Sequence, residues 1–156
     1  MIENNQKILD KVYQTTSKIV LIQILFTIIL IVVAWFWAAG IDNSVAPQAI
    51  TGLWFSIIFL VIASFFLRRI LFSWGKLKNA FEQFGVEGVL KNLQKNTVII
   101  CLLGQIVGII GFLIATLSVN KFEMFRAGIV ALVIFLFNFP RKGVWEKVVV
   151  NFENTK

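Results

Sequence analysis

The chain has 156 residues, of which 58% are hydrophobic and 15% charged, and its mean hydropathy is +0.85. Soluble domains are about 45–50% apolar and about 25% charged, so this composition indicates an integral membrane protein. The formal net charge is +7, there is no histidine, and Cys101 is the single cysteine. Without the commonest general base and without a set of thiolates, the sequence predicts no catalytic residues, no metal site and no cofactor.

The first half of the chain contains two apolar stretches of membrane-spanning length. Residues 1–18 are polar with apolar residues at helical spacing, which predicts a short amphipathic helix at the membrane surface. Residues 19–39 carry no charge and, at about 1.5 Å per residue, can cross a hydrocarbon core of about 30 Å. This run exceeds the apolar core of a signal peptide, so we interpret it as the first transmembrane helix. A turn at residues 40–46 leads into the second span, residues 46–67.

Residues 70–96 form a basic, amphipathic segment between the second and third spans. Apolar side chains that alternate steps of four and three predict one face of a helix: Ile70, Trp74, Leu77, Phe81 and Phe84. We expect Gly85 and Gly88 to interrupt that helix.

The second half repeats this order of elements. Residues 97–119 form the third span and residues 122–139 the fourth, which Pro140 ends. Residues 141–156 predict an amphipathic tail, because Trp145, Val148, Val149 and Phe152 share one helical face. The predicted fold is all-α, with four transmembrane helices arranged as two hairpins, each followed by an amphipathic helix.

The basic residues predict the orientation of the spans. They lie before the first span, between the second and third, and after the fourth: Lys7, Lys11, Lys18, Arg68, Arg69, Lys76, Lys78, Lys91, Lys95, Arg141, Lys142, Lys147 and Lys156. The loops on the other side carry only Lys121 and Arg126. By the positive-inside rule, both termini and residues 70–96 are expected in the cytoplasm, with the chain in the inner membrane.

The two halves also resemble each other in detail. Trp74 is followed by Lys76 and Phe81 at the same offsets as Lys147 and Phe152 follow Trp145. A duplicated unit of hairpin plus amphipathic helix, related by an axis along the membrane normal, would produce this pattern. Shared constraints at one membrane surface, which collects aromatic and basic residues, would produce it as well.

The third span carries a stripe of small residues at Gly104, Gly108, Gly111 and Ala115. Such a stripe allows close helix–helix packing, either within the chain or in an oligomer. The apolar spans also contain polar side chains, among them Gln23, Gln105 and Asn138. Gln23 and Gln105 are expected to form hydrogen bonds across helices, or alternatively to line a polar constriction. With no ionisable residue near a span centre, an ion-coupled transporter is not expected.

Ten basic and aromatic residues are predicted to form a cytoplasmic surface that contacts anionic lipid headgroups or docks a partner: Arg68, Arg69, Trp74, Lys76, Phe81, Phe84, Arg141, Lys142, Trp145 and Phe152. Nucleic acid is not expected as a partner, because positive-inside charge already explains the lysines. The sequence favours a non-enzymatic membrane scaffold or accessory subunit, in a homo-oligomer or a larger complex. The alternatives are an oligomeric pore or channel-like effector, and an immunity-type protein directed against a pore-forming toxin.

Overall fold

The computed structural model describes residues 2–37 and 47–153, which form five helices and the short connections between them. The helices are α1 (Ile2–Trp37), α2 (Pro47–Leu71), α3 (Trp74–Ser118), α4 (Lys121–Asn138) and α5 (Lys142–Glu153). Of the described helices, four are long and apolar enough to cross a membrane, as a multi-pass membrane protein requires. The predicted turn at 40–46, the ends of the first two spans beside it, and residues 154–156 lie outside the described residues.

Two helices run through boundaries that the hydropathy pattern predicts. Helix α1 continues without a break from the polar residues 2–18 into the first apolar stretch. Helix α3 is 45 residues long and joins the predicted amphipathic segment to the third span. A change from polar to apolar residues does not disturb the backbone hydrogen bonds of a helix, so it marks no helix end.

Helix α3 has one sharp kink, at Gly85, where φ is 63° and ψ is −155°. This confirms the predicted interruption at Gly85, whereas Gly88 remains helical. We call residues 74–84 the short arm of α3 and residues 86–118 its long arm. The kink turns the short arm away from the axis of the long arm.

The break between α2 and α3 falls at Phe72 and Ser73, later than the sequence predicts. Ile70 and Leu71 belong to α2, so Ile70 does not share a helix with Trp74. Ser73 is extended (φ −64°, ψ 138°), and its carbonyl oxygen accepts a hydrogen bond from the Leu77 backbone N–H. The basic pair Arg68–Arg69 therefore lies inside the last turn of α2 and does not end it.

Helix α3 is the centre of the bundle and packs against each of the other four helices. Its most extensive partner is α4, and α1 packs against both. The second predicted hairpin, α3–α4, is therefore closely packed. Helices α1 and α2 follow each other in the chain, yet they make only marginal contact within the described residues.

The small-residue stripe of α3 is buried against helices of the same chain. Gly104 faces Phe135 of α4, and Gly108 faces Thr27 of α1. Gly111 lies against Ala127, close enough that a Cβ at Gly111 would overlap it. The stripe therefore serves packing within the chain, one of the two roles that the sequence allows.

Alanine at Gly85 is expected to destabilise the kink of α3 by about 1–3 kcal/mol, because φ 63° combined with ψ −155° lies in a backbone region that essentially only glycine adopts. No atom outside the local backbone lies within 4 Å of the added Cβ, so the effect reports backbone conformation alone. Thermal unfolding in detergent measures the change. A midpoint equal to that of Gly75→Ala, an open glycine in the first turn of the short arm, would contradict it.

Candidate functional site

One end of the bundle carries most of the predicted functional residues. We call it the basic end: it holds Arg68 and Arg69 in the last turn of α2, and Arg141 and Lys142 after α4. The first turns of α1, the kink of α3 and all of α5 meet there. Their apolar side chains form one cluster, the basic-end core: Leu9, Leu77, Val89, Leu90, Leu93, Trp145, Val149 and Phe152.

Aromatic rings hold this core together. The Phe152 ring stacks on Trp74, with centroids 4.4 Å apart, and on Phe81, with centroids 5.0 Å apart. Trp145 meets Tyr13 edge-to-face at 6.2 Å, which ties α5 to α1. Such pairs contribute about 0.5–1.5 kcal/mol each beyond their buried area. The apolar faces of the two predicted amphipathic segments therefore cover each other.

Exposure divides the predicted docking aromatics into two groups. Trp145 and Phe152 are each only 3% exposed and so are not available to a partner. Trp74 is 51% exposed and Phe84 71%, while Phe81 is half-buried. Only Trp74 and Phe84 keep large accessible faces.

The two predicted repeat units place their matching residues in different environments. Trp74 is half-exposed whereas Trp145, its counterpart, is buried. Gly52 and Gly128 also match, since each precedes an Ile-Phe-Leu triplet by six residues, yet Gly52 is open whereas Gly128 lies against Ile31. The structure therefore gives the internal repeat no support beyond the order of the helices.

An ion pair also fastens α5 to α1. Lys142 Nζ lies 2.7 Å from Asp10 Oδ1 and 3.8 Å from Glu146 Oε1. The hydrogen bond to Asp10 is the main cause that raises the pKa of Lys142 above its ordinary value. The stabilisation linked to this raised pKa is complete below the unfolded-state pKa of lysine and is lost as pH rises through the folded-state value.

Two side chains cap helix ends at the basic end. Asn96 is buried and donates from Nδ2 to the Leu71 carbonyl oxygen (2.8 Å), at the end of α2. Arg68 donates from Nη1 to the Phe137 carbonyl oxygen (2.7 Å), near the end of α4. Both satisfy carbonyls that lack a partner within their helix. Asn138 bonds within its own helix, to the Ile134 carbonyl oxygen at 2.7 Å.

A groove of about 590 Å³ opens beside these caps, between the end of α2, the α4–α5 junction and α3. Arg68 and Arg141 line it together with aromatic and aliphatic side chains, including Trp74, Phe137 and Val144. The neighbouring Arg69 is not part of its lining. We call this the α2–α5 groove.

A second groove, of about 710 Å³, lies along the two arms of α3 at the kink. Most of the residues that line it have polar or charged side chains, and they include Lys76, Lys91 and Lys95. Lys91 is already paired with Glu87, at 2.7 Å, and this hydrogen bond lowers the pKa of Glu87. Lys76 lines this second groove and is not part of the lining of the α2–α5 groove.

The two intramembrane glutamines do not form the expected hydrogen bonds across helices. Gln23 Oε1 in α1 and Gln105 Nε2 in α3 are both buried, and neither atom has a hydrogen-bond partner among the described residues. Thr27, one turn from Gln23, donates a hydrogen bond to the Gln23 backbone carbonyl oxygen at 3.1 Å and not to the amide of its side chain. A buried acceptor and a buried donor thus remain unsatisfied, at a cost of about 1–3 kcal/mol each.

At the opposite end of the bundle, Glu123 forms hydrogen bonds both within α4 and to α2. Its side chain is only 13% exposed, and it accepts hydrogen bonds from Arg126 Nη1 (3.1 Å) and Trp54 Nε1 (3.0 Å). Nearby, the Lys121 ammonium lies 4.1 Å from the Trp35 ring centroid. The Trp54–Glu123 bond fixes the first half of α2 to α4, as Arg68 fixes the second half.

Phenylalanine at Trp54 is expected to lower stability by about 1–2 kcal/mol, because it keeps an aromatic side chain, though a smaller one, but leaves a carboxylate oxygen of Glu123 without its donor. Thermal unfolding in detergent measures the loss. The matched control is Trp37→Phe, which changes an exposed tryptophan at the same end of the bundle. Equal midpoints for the two variants would show that the hydrogen bond contributes nothing.

No protein-family model, curated protein or solved structure matches this chain. Within residues 2–37 and 47–153, no group of three or more His, Cys, Asp or Glu side chains is placed to hold a metal ion.

Proposed function

We propose that this protein is a non-enzymatic scaffold or accessory subunit that assembles within the membrane through the outward face of α2. One observation carries the proposal. Helix α2 is the least covered of the four long helices, since only 11% of its most apolar stretch is buried, and aromatic side chains follow its outer face. The exposed residues at helical spacing are Phe55, Phe59, Ile62 and Phe66.

The polar contacts of α2 support this role. Its two ends are fixed to the bundle by Trp54 and Arg68, and Asn96 caps its last turn. A helix held rigidly at its ends presents its outer face in one orientation. Rigid aromatic side chains bind with little loss of conformational entropy, so such a face suits a second helix.

The basic end supports the orientation that we propose with this function. Arg68, Arg69, Arg141 and Lys142 are all exposed and lie on one side of the apolar bundle. With this side in the cytoplasm, both termini are cytoplasmic and the anionic headgroups of an inner membrane face these cations. The positive charge then interacts with the membrane surface, and nucleic acid is not an expected partner.

A photo-crosslinking amino acid at Phe59 tests the assembly in native membranes. We expect one discrete product, either a dimer of this chain or a heteromer whose second member also co-purifies at fixed stoichiometry. The control position is Leu102, an exposed apolar residue on α3. Equal product yields at Phe59 and Leu102, or a strict monomer in nanodiscs, would contradict the proposal.

The unsatisfied amides of Gln23 and Gln105 favour a second candidate, an oligomeric pore. Polar groups without partners inside a bundle are available to water or ions when helices rearrange. Ion flux in liposomes, compared between wild type and Gln105→Leu, separates the candidates. A pore loses conductance in the variant. A scaffold shows no flux in either, and its stability rises by about 1 kcal/mol because a buried unpaired donor is removed.

A further inference from the structure

We propose that the α2–α5 groove binds an anionic phospholipid, with the phosphate between Arg68 and Arg141 and an acyl chain along the apolar wall. The groove is about 590 Å³, within the range of pockets that bind small ligands. Of the described residues that line it, none is acidic, whereas two carry guanidinium groups. The inference depends on membrane insertion of the long helices and not on the proposed scaffold role.

The two arginines have donors to spare. Arg68 uses Nη1 to cap the Phe137 carbonyl oxygen, which fixes the side chain at the groove, and no other residue in the described part of the chain takes its remaining four N–H donors. Arg141 has no carboxylate partner among the described residues. Arginine binds phosphate oxygens through paired N–H donors, so these two side chains form a suitable cradle.

The position of Arg141 at the start of α5 also favours binding of an anion. Arg141 immediately precedes the first residue of α5, and its carbonyl oxygen accepts the backbone N–H groups of Val144 and Trp145. A cation at this place faces the positive end of the α5 helix dipole, and the nearby carboxylates of Asp10 and Glu146 are paired with Lys142 and not with Arg141. A phosphate beside Arg141 would interact favourably with both the guanidinium and the helix terminus.

The apolar lining fixes the class of ligand. Phe137, Phe139 and Pro140 lie where α4 ends, and Val144, Trp145 and Val148 continue the wall along α5. The groove therefore joins the apolar bundle to the basic surface, the depth at which a phospholipid passes from acyl chain to headgroup. A free inorganic phosphate would leave this wall uncovered, and a zwitterionic headgroup would bring a second cation toward the arginines.

Native mass spectrometry of the full-length protein, delipidated and then titrated with phosphatidylglycerol, tests the site. Wild type is expected to retain one phosphatidylglycerol in preference to phosphatidylcholine. Arg141→Gln should weaken this retention about tenfold, because it removes one charge-assisted contact and disturbs no hydrogen bond of the fold. Arg69→Gln, the matched control of equal charge outside the groove, should leave it unchanged.

A second variant separates a built groove from general surface charge. Val144→Trp places a large ring on an exposed groove residue without changing any charge, and it should reduce phosphatidylglycerol retention as strongly as Arg141→Gln. The proposal is overturned by equal losses in Arg69→Gln and Arg141→Gln, by full retention in Val144→Trp, or by equal binding of phosphatidylcholine. Complete competition by inorganic phosphate at equal concentration also overturns it.

Discussion

Alanine at Trp145 is expected to open the basic-end core and to lower its stability by about 3–5 kcal/mol, the usual cost of removing a buried tryptophan. Trp145 is 3% exposed and meets Tyr13 edge-to-face, so its loss separates α5 from both α1 and α3. Hydrogen exchange measured by mass spectrometry should show faster exchange over residues 142–153 and the first turns of α1. Exchange in the apolar spans should change little.

Trp74→Ala is the matched control for this prediction. Trp74 is 51% exposed, and its removal loses a stacking contact with Phe152 but leaves a much smaller cavity. We expect a loss of about 1 kcal/mol, several times smaller than for Trp145→Ala. Equal effects at the two positions would contradict the structure and would instead favour two equivalent repeat units.

Isoleucine at Gly111 is expected to force α3 away from α4 and to cost on the order of 3 kcal/mol or more. Even the first carbon of a side chain at Gly111 would overlap Ala127, and the Met124 sulfur lies 3.4 Å from that carbon's position. The overlapping atom is the Cβ of Ala127, which is attached directly to the α4 backbone, so a rotamer change cannot relieve the overlap. Thermal unfolding in detergent should show a lower midpoint together with aggregation.

Gly52→Ile provides the control because no atom lies within 4 Å of a Cβ at Gly52. It adds the same side chain to α2 and should leave the unfolding midpoint unchanged. If Gly111→Ile were equally harmless, the small-residue stripe would face lipid and the close packing of α3 on α4 would be wrong.

Periodicity predicted the features of this fold that depend on local sequence. The four apolar stretches lie in four long helices, and the kink falls at Gly85, where glycine alone adopts positive φ without strain. The stripe from Gly104 to Ala115 was predicted as a packing surface, because small residues at helical spacing have few other uses in an apolar span.

Contacts between distant residues could not be predicted from the same patterns. Trp54 bonds to Glu123 and Arg68 to the Phe137 carbonyl oxygen, each pair 69 residues apart, and no local signal marks either partner. An amphipathic pattern identifies an apolar face but not what covers it. The sequence therefore offered lipid or a partner for Trp145 and Phe152, whereas these residues pack within the chain.

The basic-end core is tested most directly by the close approach of α5 to the first turns of α1. The native Cys101 is buried in an apolar helix, so a short bis-maleimide should react only with introduced cysteines. Asp10→Cys combined with Lys142→Cys replaces the ion pair whose atoms lie 2.7 Å apart. We expect an efficient crosslink within one monomer and none between Asp10→Cys and Lys121→Cys, which lies at the opposite end. Absence of the first crosslink, or equal yields for the two pairs, would contradict the basic-end core.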